Sequence, residues 1–141
     1  MIRKLNEKDI DEVMNIWLET NINTHIFIKR KYWEDNFEYV KKEISNSEVY
    51  VYEKEKQIVG FVGIRDGFIE GIFVKENMRH IGIGKDLINK CKKKYSKLEL
   101  QVYEKNNNAI KFYQKEGFKI IDRQLDKDNN EIELIMKWTD I

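Results

Sequence analysis

Two glycines one residue apart, Gly82 and Gly84, stand where a strand pattern gives way to an amphipathic helix, in the segment ENMRHIGIGKDLI. At a helix start the first backbone N–H groups have no carbonyl partner, so an anion bound there is stabilised by them and by the helix dipole. Without Cβ atoms at these positions a phosphate can approach the backbone closely, and Arg79 and Lys85 add positive charge beside it. Successive N–H groups from Ile81 to Lys85 would suit two phosphates better than one. The alternative is a tight strand-to-helix turn in which the glycines only permit close packing on the sheet.

Composition excludes several classes of function. The 141 residues, 41% apolar and 12% aromatic, predict one domain spanning 1–141, and a net charge of +1 gives no field that favours duplex nucleic acid or an anionic membrane. One cysteine, Cys91, excludes an internal disulfide, and the two histidines, His25 and His80, give no zinc-ligand spacing, so we expect no metal. The N-terminus lacks an apolar targeting region and no run is long enough to span a bilayer, so we expect a cytoplasmic protein.

The elements that must position the glycine segment follow from periodicity. Helical spacing predicts a first helix over residues 6–21, capped by Asn6, and a second over residues 29–45. Three consecutive antiparallel strands precede the glycines, and a helix, a strand, a short helix ended by Gly117 and a hairpin follow them. The order is β-α-α-β-β-β-α-β-α-β-β. It predicts an α/β fold with one mixed, mostly antiparallel sheet of about seven strands flanked by four helices.

This order argues against the two common phosphate-binding folds. A dinucleotide-binding fold would place its glycine turn after the first strand, whereas three strands in hairpin order precede the turn here. A Walker-type loop would need a Gly-Lys-Ser or Gly-Lys-Thr sequence, which the segment lacks.

The glycine segment and a second segment downstream together resemble the GNAT superfamily of acyl-CoA-dependent N-acetyltransferases. RHIGIG is similar to the family's R/Q-x-x-G-x-G/A pyrophosphate loop, and IEGIFVKENMR resembles the strand before that loop. NNNAIKFYQKEGF resembles the family's N-x-x-A-x-x-F-Y-x-x-x-G-F segment. Within the superfamily, IWLETNINTHIFI is similar to a bacterial subgroup of small acetyltransferases, the YjaB-like subgroup.

The resemblance implies that acetyl-CoA is the co-substrate and that no metal takes part. The pantetheine arm would lie along the strand residues Ile72, Phe73 and Val74, where this strand splays from the next one. The pyrophosphate would bind to the loop formed by Arg79, His80, Ile81, Gly82, Ile83, Gly84 and Lys85. His80 stands where the family usually has glycine, so its backbone is expected to be more constrained.

Two residues are catalytic candidates: the resemblance implies Tyr113, whereas Glu70 follows from its position in the strand, since many family members have their base two residues earlier, where this chain has Phe68. Tyr113 would act as general acid towards the leaving thiolate, with Asn106 capping the same helix and touching the pantetheine; the alternative for Tyr113 is a packing aromatic beside Phe112. Glu70 would be the base, among apolar neighbours in the middle of the sheet where burial would raise its pKa. The alternatives are a partly exposed glutamate at a strand start and an ordered water as base.

The expected function is transfer of an acetyl group to a primary amine of a small molecule or peptide by direct attack in a ternary complex. The alternative is a non-catalytic acyl-CoA-binding module. His25 and Phe27 would line the acceptor pocket, although His25 could equally be a hydrogen-bonded loop histidine. We expect no nucleic acid or membrane partner, and either a monomer or a homodimer.

Overall fold

Seven strands form one mixed sheet in the order β1-β2-β3-β4-β5-β7-β6 in the computed structural model, which describes residues 1–141. Every neighbouring pair is antiparallel except β4 and β5, which run parallel. The α/β class and the seven strands predicted from sequence are confirmed. The strands are β1 (Ile2–Lys4), β2 (Glu48–Lys54), β3 (Gln57–Arg65), β4 (Phe68–Val74), β5 (Lys97–Tyr103), β6 (Lys119–Asp126) and β7 (Glu131–Thr139).

Five α-helices flank the sheet rather than the predicted four. They are α1 (Ile10–Thr24), α2 (Arg30–Asp35), α3 (Phe37–Ser45), α4 (Ile83–Lys94) and α5 (Asn107–Lys115). The single helix predicted over residues 29–45 is interrupted at Asn36, whose side-chain Nδ2 donates to the carbonyl of Tyr32 at 2.7 Å. Asparagine competes in this way for backbone carbonyls, and that competition disfavours an uninterrupted helix.

The first helix also differs from its prediction at both ends. A 3₁₀ turn over Glu7–Asp9 comes first, with the Asn6 N–H donating to the Asp9 carboxylate at 2.7 Å, and α1 then continues to Thr24. Residues 22–24, which the sequence placed in a loop, are therefore helical. This extension carries the end of α1 to the site described below. No helix of the protein is both long and apolar enough to cross a membrane.

The sheet separates two apolar layers. On one side α4 and α5 pack through residues such as Leu87, Ile88 and Tyr113, and on the other α1 to α3 pack through Val13, Met14 and neighbours. Cys91 is fully buried in the first layer, where burial raises the pKa of its thiol to about 12. This residue is part of the core, as its inward position on the predicted helix indicated.

Strands β4 and β5 separate soon after they meet. They pair only at Phe68 with Glu99 and at Ile69 with Leu100, although β4 remains paired with β3 as far as Val74. The β3–β4 register shifts at the same point: Ile64 pairs with Ile69 and Gly63 with Gly71, which leaves Glu70 as the extra residue of a β-bulge. Bulges bend and twist a strand, so this one turns the end of β4 away from β5.

Candidate active site

A cleft of about 550 Å³ opens where β4 and β5 separate. Its walls are the end of β4, the loop and first turn of α4, the inner face of α5, and the C-terminal end of α1. The predicted cofactor-binding residues that line it are Ile72, Phe73, Val74, Arg79, His80, Gly82, Ile83, Gly84, Lys85, Asn106 and Tyr113. Ile81 does not line the cleft, because its side chain is exposed on the outside of the loop.

The loop before α4 presents a run of free donors. None of the backbone N–H groups from His80 to Lys85 donates to another atom of the chain; the first helical bond of α4 runs from the Asp86 N–H to the Gly82 carbonyl at 3.0 Å. The Arg79 guanidinium reaches across to Thr24 Oγ1, at 3.3 Å. Successive unpaired N–H groups at the start of a twelve-residue helix, beside Arg79 and Lys85, have the geometry and charge that suit an anion.

The two glycines of this loop serve different purposes. Gly82 has φ +94°, which L-residues rarely adopt, and a Cβ added there would meet no atom within 4 Å, so its missing side chain leaves open space. A Cβ added at Gly84 would instead lie 3.2 Å from Cζ of Phe112 on α5. The open space at Gly82 fits the phosphate-approach interpretation, whereas Gly84 permits close packing against α5 and not against the sheet, as the alternative had it. His80 has φ +66°, which agrees with the constraint expected where a glycine is usual.

Tyr113 lines the cleft from the end of the second turn of α5. Its side chain is almost fully buried, yet its hydroxyl makes no hydrogen bond within the protein. Burial raises the pKa of Tyr113 above its ordinary value, so the phenol is protonated at neutral pH. A protonated phenol that faces the cleft without a partner can donate to a ligand.

Asn106 and His25 meet at the entrance to α5. Asn106 is the N-cap, as predicted: its Oδ1 accepts from the Ala109 N–H at 3.3 Å, and its Nδ2 lies 3.3 Å from His25 Nε2. His25 Nδ1 lies 3.1 Å from Asn21 Oδ1. His25 therefore lines the cleft as a hydrogen-bonded residue, the alternative that the sequence left open.

A second wall, which we call the aromatic wall, consists of Phe27, Trp33 and Tyr103 around the outer side of His25. The Tyr103 hydroxyl donates to Asp126 Oδ2 at 2.7 Å. Burial alone would raise the pKa of Asp126, but hydrogen bonds from Asn129 and Tyr103 outweigh it and lower that pKa, so the carboxylate is charged at neutral pH. Phe27 belongs to this wall and not to the cleft itself.

The surroundings predicted for Glu70 are wrong. Its side chain is exposed rather than enclosed by apolar neighbours, it accepts from Ser47 Oγ at 3.2 Å, and it lies 3.7 Å from Arg65 Nε. The bulge is the physical reason, since an extra residue in β4 shifts the alternation of faces on which the prediction depended. Glu70 does not line the cleft, and its assignment as the base stays a prediction.

The sequence analysis missed the contribution of α1. Thr20, Asn21 and Thr24 line the cleft, and Thr20 and Asn21 are buried with side chains bonded to carbonyls one turn earlier. A signal was present: polar residues at i, i+1 and i+4 continue the buried stripe of Val13 and Trp17. Only Thr24 lies beyond the predicted end of the helix at Asn21; Thr20 and Asn21 were inside the predicted helix but were not expected to face the cleft.

These features fit an acyl-CoA. The unpaired N–H groups suit a pyrophosphate, the strand edge freed beside Ile72 to Val74 suits the amides of a pantetheine arm, and Tyr113 lines the same cleft. A family model described as the acetyltransferase (GNAT) domain matches residues 21–137. The chain belongs to the GNAT family of N-acetyltransferases. The family uses acetyl-CoA as its acyl donor.

Individual relatives agree with this membership. The chain is 34% identical over 140 residues to the peptidyl-lysine N-acetyltransferase YiaC of Escherichia coli strain K12, which covers 98% of this chain and 96% of YiaC. It is 27% identical over 123 residues to the peptidyl-lysine N-acetyltransferase YjaB of the same strain, covering 86% of this chain and 84% of YjaB. The resemblance to the YjaB-like subgroup is thereby confirmed.

Solved structures agree on the fold. The solution structure of apo YjaB from Escherichia coli superposes with a TM-score of 0.86 at 24% identity, covering 98% of this chain and 96% of that one. The PaiA N-acetyltransferase of Thermoplasma acidophilum, solved in complex with coenzyme A, superposes with a TM-score of 0.80 at 24% identity, covering 99% of this chain and 98% of that one. The chain has no group of three or more His, Cys, Asp or Glu side chains that could hold a metal ion.

Proposed function

We propose that this GNAT N-acetyltransferase moves the acetyl group of acetyl-CoA to the side-chain amine of a lysine within a polypeptide, by direct attack in a ternary complex. YiaC and YjaB are peptidyl-lysine N-acetyltransferases, which supports this choice of acceptor. The observation that carries the proposal is one cleft lined both by a run of unpaired backbone donors and by Tyr113, whose hydroxyl has no hydrogen-bond partner in the protein.

The donor side of the reaction needs a bound anion and an oriented acyl group. The N–H groups of His80 to Lys85 would hold the phosphates, and the unpaired edge of β4 would hold the arm by strand-like hydrogen bonds. Acetyl-CoA supplies a thioester whose carbonyl an amine can attack. Because two reactants held in one cleft react as if at high local concentration, this positioning alone accounts for much of the expected acceleration.

Tyr113 supplies the proton for the departing thiolate. Its raised pKa keeps the phenol protonated before the reaction, and no protein group competes for its hydroxyl. A thiolate leaving beside Tyr113 would therefore receive the phenolic proton, which solvent or the incoming amine later restores.

The acceptor would enter past the aromatic wall. The ring centroids of Phe27 and Tyr103 lie 5.5 Å apart, and such rings can pack against the aliphatic part of a lysine side chain. The charged Asp126 stands behind Tyr103, and Glu133 faces Tyr103 across the β5–β7 pairing. These carboxylates would attract a cationic side chain, while the apolar rings favour the neutral amine that attack requires.

One assay tests the acceptor. Purified protein, acetyl-CoA and a set of peptides that differ only in having lysine, acetyl-lysine or arginine at one position are followed by thiol release and by mass spectrometry. We expect acetylation of the lysine peptide alone. Thiol release without peptide acetylation would contradict a lysine acceptor. So would acetylation that requires only a free peptide α-amine, whichever residue stands at the varied position.

A matched pair of variants separates the acceptor from the donor. Asp126→Asn keeps the oxygen that accepts from Tyr103 but removes the charge, so we expect a KM for the lysine peptide several-fold higher with the KM for acetyl-CoA unchanged. Asp122→Asn, an exposed change on the same strand, is the control. Acetyl-CoA binding without turnover on any lysine peptide would favour the non-catalytic alternative.

A further inference from the structure

A chain of side-chain hydrogen bonds crosses the cleft from α1 to α5. It begins at Asn21, whose Nδ2 donates to the Trp17 carbonyl at 2.9 Å, passes through His25, and ends at the Asn106 cap of α5. The α5 helix carries Tyr113. We infer that His25 is a positioning residue, which joins the two walls of the cleft and fixes the start of α5, and thereby the Tyr113 hydroxyl; this inference rests on the proposed role of Tyr113.

The direction of every bond in this chain follows from its two ends. Asn106 Oδ1 is occupied by the Ala109 N–H, so the atom facing His25 is the Nδ2 amide, which can only donate. At the other end, Asn21 Nδ2 is occupied with the Trp17 carbonyl, so Asn21 Oδ1 faces His25 and can only accept. The ring must therefore accept at Nε2 and donate at Nδ1.

Only one form of the imidazole satisfies both neighbours. A neutral ring with its proton on Nδ1 donates to Asn21 and accepts from Asn106, whereas a ring protonated at Nε2 would place two donors against each other. Burial supports the neutral form, since it lowers the pKa of His25 to about 4. No carboxylate or cation is hydrogen-bonded to the ring.

Packing holds the ring in this orientation. It stacks on Trp33 at a centroid distance of 5.5 Å, and meets Tyr103 at 5.2 Å and Phe27 at 5.7 Å nearly edge-on. The ring therefore has little freedom to rotate, and the position of its Nε2 is passed on to Asn106. A small displacement of a helix that carries an acid can cost much of its rate, because proton transfer requires hydrogen-bond distance.

The hydrogen bonds from Asn21 through His25 to Asn106 are called the bridge below. Three substitutions test each half of it. His25→Gln can place an acceptor where Nε2 lies but loses the bond to Asn21, His25→Asn can keep the bond to Asn21 but does not reach Asn106, and His25→Phe keeps only the ring packing. We expect His25→Gln to retain kcat within about threefold, and the other two to lower kcat about tenfold with a smaller change in the KM for acetyl-CoA. Equal losses in all three variants would overturn the inference.

Two spectroscopic readouts do not depend on turnover. Long-range proton–nitrogen correlation should show His25 at pH 7 as the neutral ring protonated on Nδ1, assigned against a His80→Gln variant. The backbone amide signal of Ala109 should shift in the Asn and Phe variants and not in the Gln variant. A ring that is protonated on Nε2 or charged would overturn the inference. An Ala109 amide signal that stays unshifted in all three variants would overturn it too.

The same data separate this inference from the proposed function. If the ring form, the Ala109 shifts and the Gln rescue are as expected while Tyr113→Phe leaves kcat unchanged, the acid role of Tyr113 is wrong and the bridge stands. If Tyr113→Phe abolishes turnover while every His25 variant is fully active, the bridge does not position the acid and the inference is wrong.

Discussion

A Cβ added to Gly84 would lie 3.2 Å from Cζ of Phe112. The first turn of α4 and the middle of α5 therefore pack closely at this glycine, and both elements line the cleft. A Cβ added to the neighbouring Gly82 would meet open space instead. Glycine is favoured at position 82 by the positive φ, and at position 84 by the close approach of Phe112.

Gly82→Ala and Gly84→Ala form a matched pair for this difference. Alanine at position 82 meets the cost of a left-handed conformation, about 1–2 kcal/mol, and fills the space that a phosphate would approach. We expect the Kd for coenzyme A to rise about tenfold in Gly82→Ala and less than threefold in Gly84→Ala, measured by calorimetry. Equal affinities in the two variants would contradict the assignment of Gly82 to the phosphate site.

His80→Gly should stabilise the protein. A residue at φ +66° with a Cβ is strained, and glycine relieves that strain at some cost in chain entropy, so we expect a gain of about 0.5–1 kcal/mol in the free energy of unfolding. Lys56→Gly, at φ +64° in the β2–β3 turn, is the control: it should give a similar gain in thermal unfolding without changing coenzyme A affinity. A destabilised His80→Gly would mean that the imidazole makes a contact that outweighs the strain.

Tyr113→Phe should lower kcat about a hundredfold or more while the Kd for acetyl-CoA changes little, because only the proton donor is removed. Ile110→Leu is the control, since it changes core packing on α5 at a residue that does not line the cleft. The measurement is steady-state thiol release with the lysine peptide, together with calorimetry. An unchanged kcat would remove Tyr113 from the acid role.

Glu70→Gln tests the base that the sequence predicts. Since Glu70 is exposed and faces Ser47 and Arg65 instead of the cleft, we expect kcat to fall less than threefold and the pH–rate profile to keep its shape. A loss as large as that of Tyr113→Phe would restore Glu70 as the base. It would also require the bulge to rearrange when substrates bind.

Stability should depend on pH through His25. Its pKa is about 4 in the folded chain and about 6.5 when unfolded, so the unfolded state binds the extra proton first and stability is lost as pH falls from about 6.5 to about 4. We expect the wild-type protein to lose about 2–3 kcal/mol more than His25→Gln over this range, measured by denaturant unfolding. Parallel curves for the two proteins would show that the ring is not desolvated.

The sequence by itself indicated the fold well because its strands are short runs of β-branched and aromatic residues separated by tight turn segments. All seven were predicted from these runs and their separators, and the glycine motif with its downstream partner indicated the family before any contact was known. The helical region was harder. The break at Asn36 depends on a hydrogen bond from its side chain to the Tyr32 carbonyl one turn earlier, and hydrophobic periodicity does not predict such a bond.

Tertiary structure decided what each site residue faces. The sequence placed Asn106, Tyr113 and the loop from Arg79 to Lys85 in one site, and all of these residues except Ile81 line one cleft. It misplaced Glu70, because one extra residue in β4 reverses the faces of a strand without leaving a mark in the pattern. It could not separate Gly82 from Gly84 or find the partner of His25, because those depend on atoms from α5 that lie far away in the chain and meet the loop and α1 only after folding.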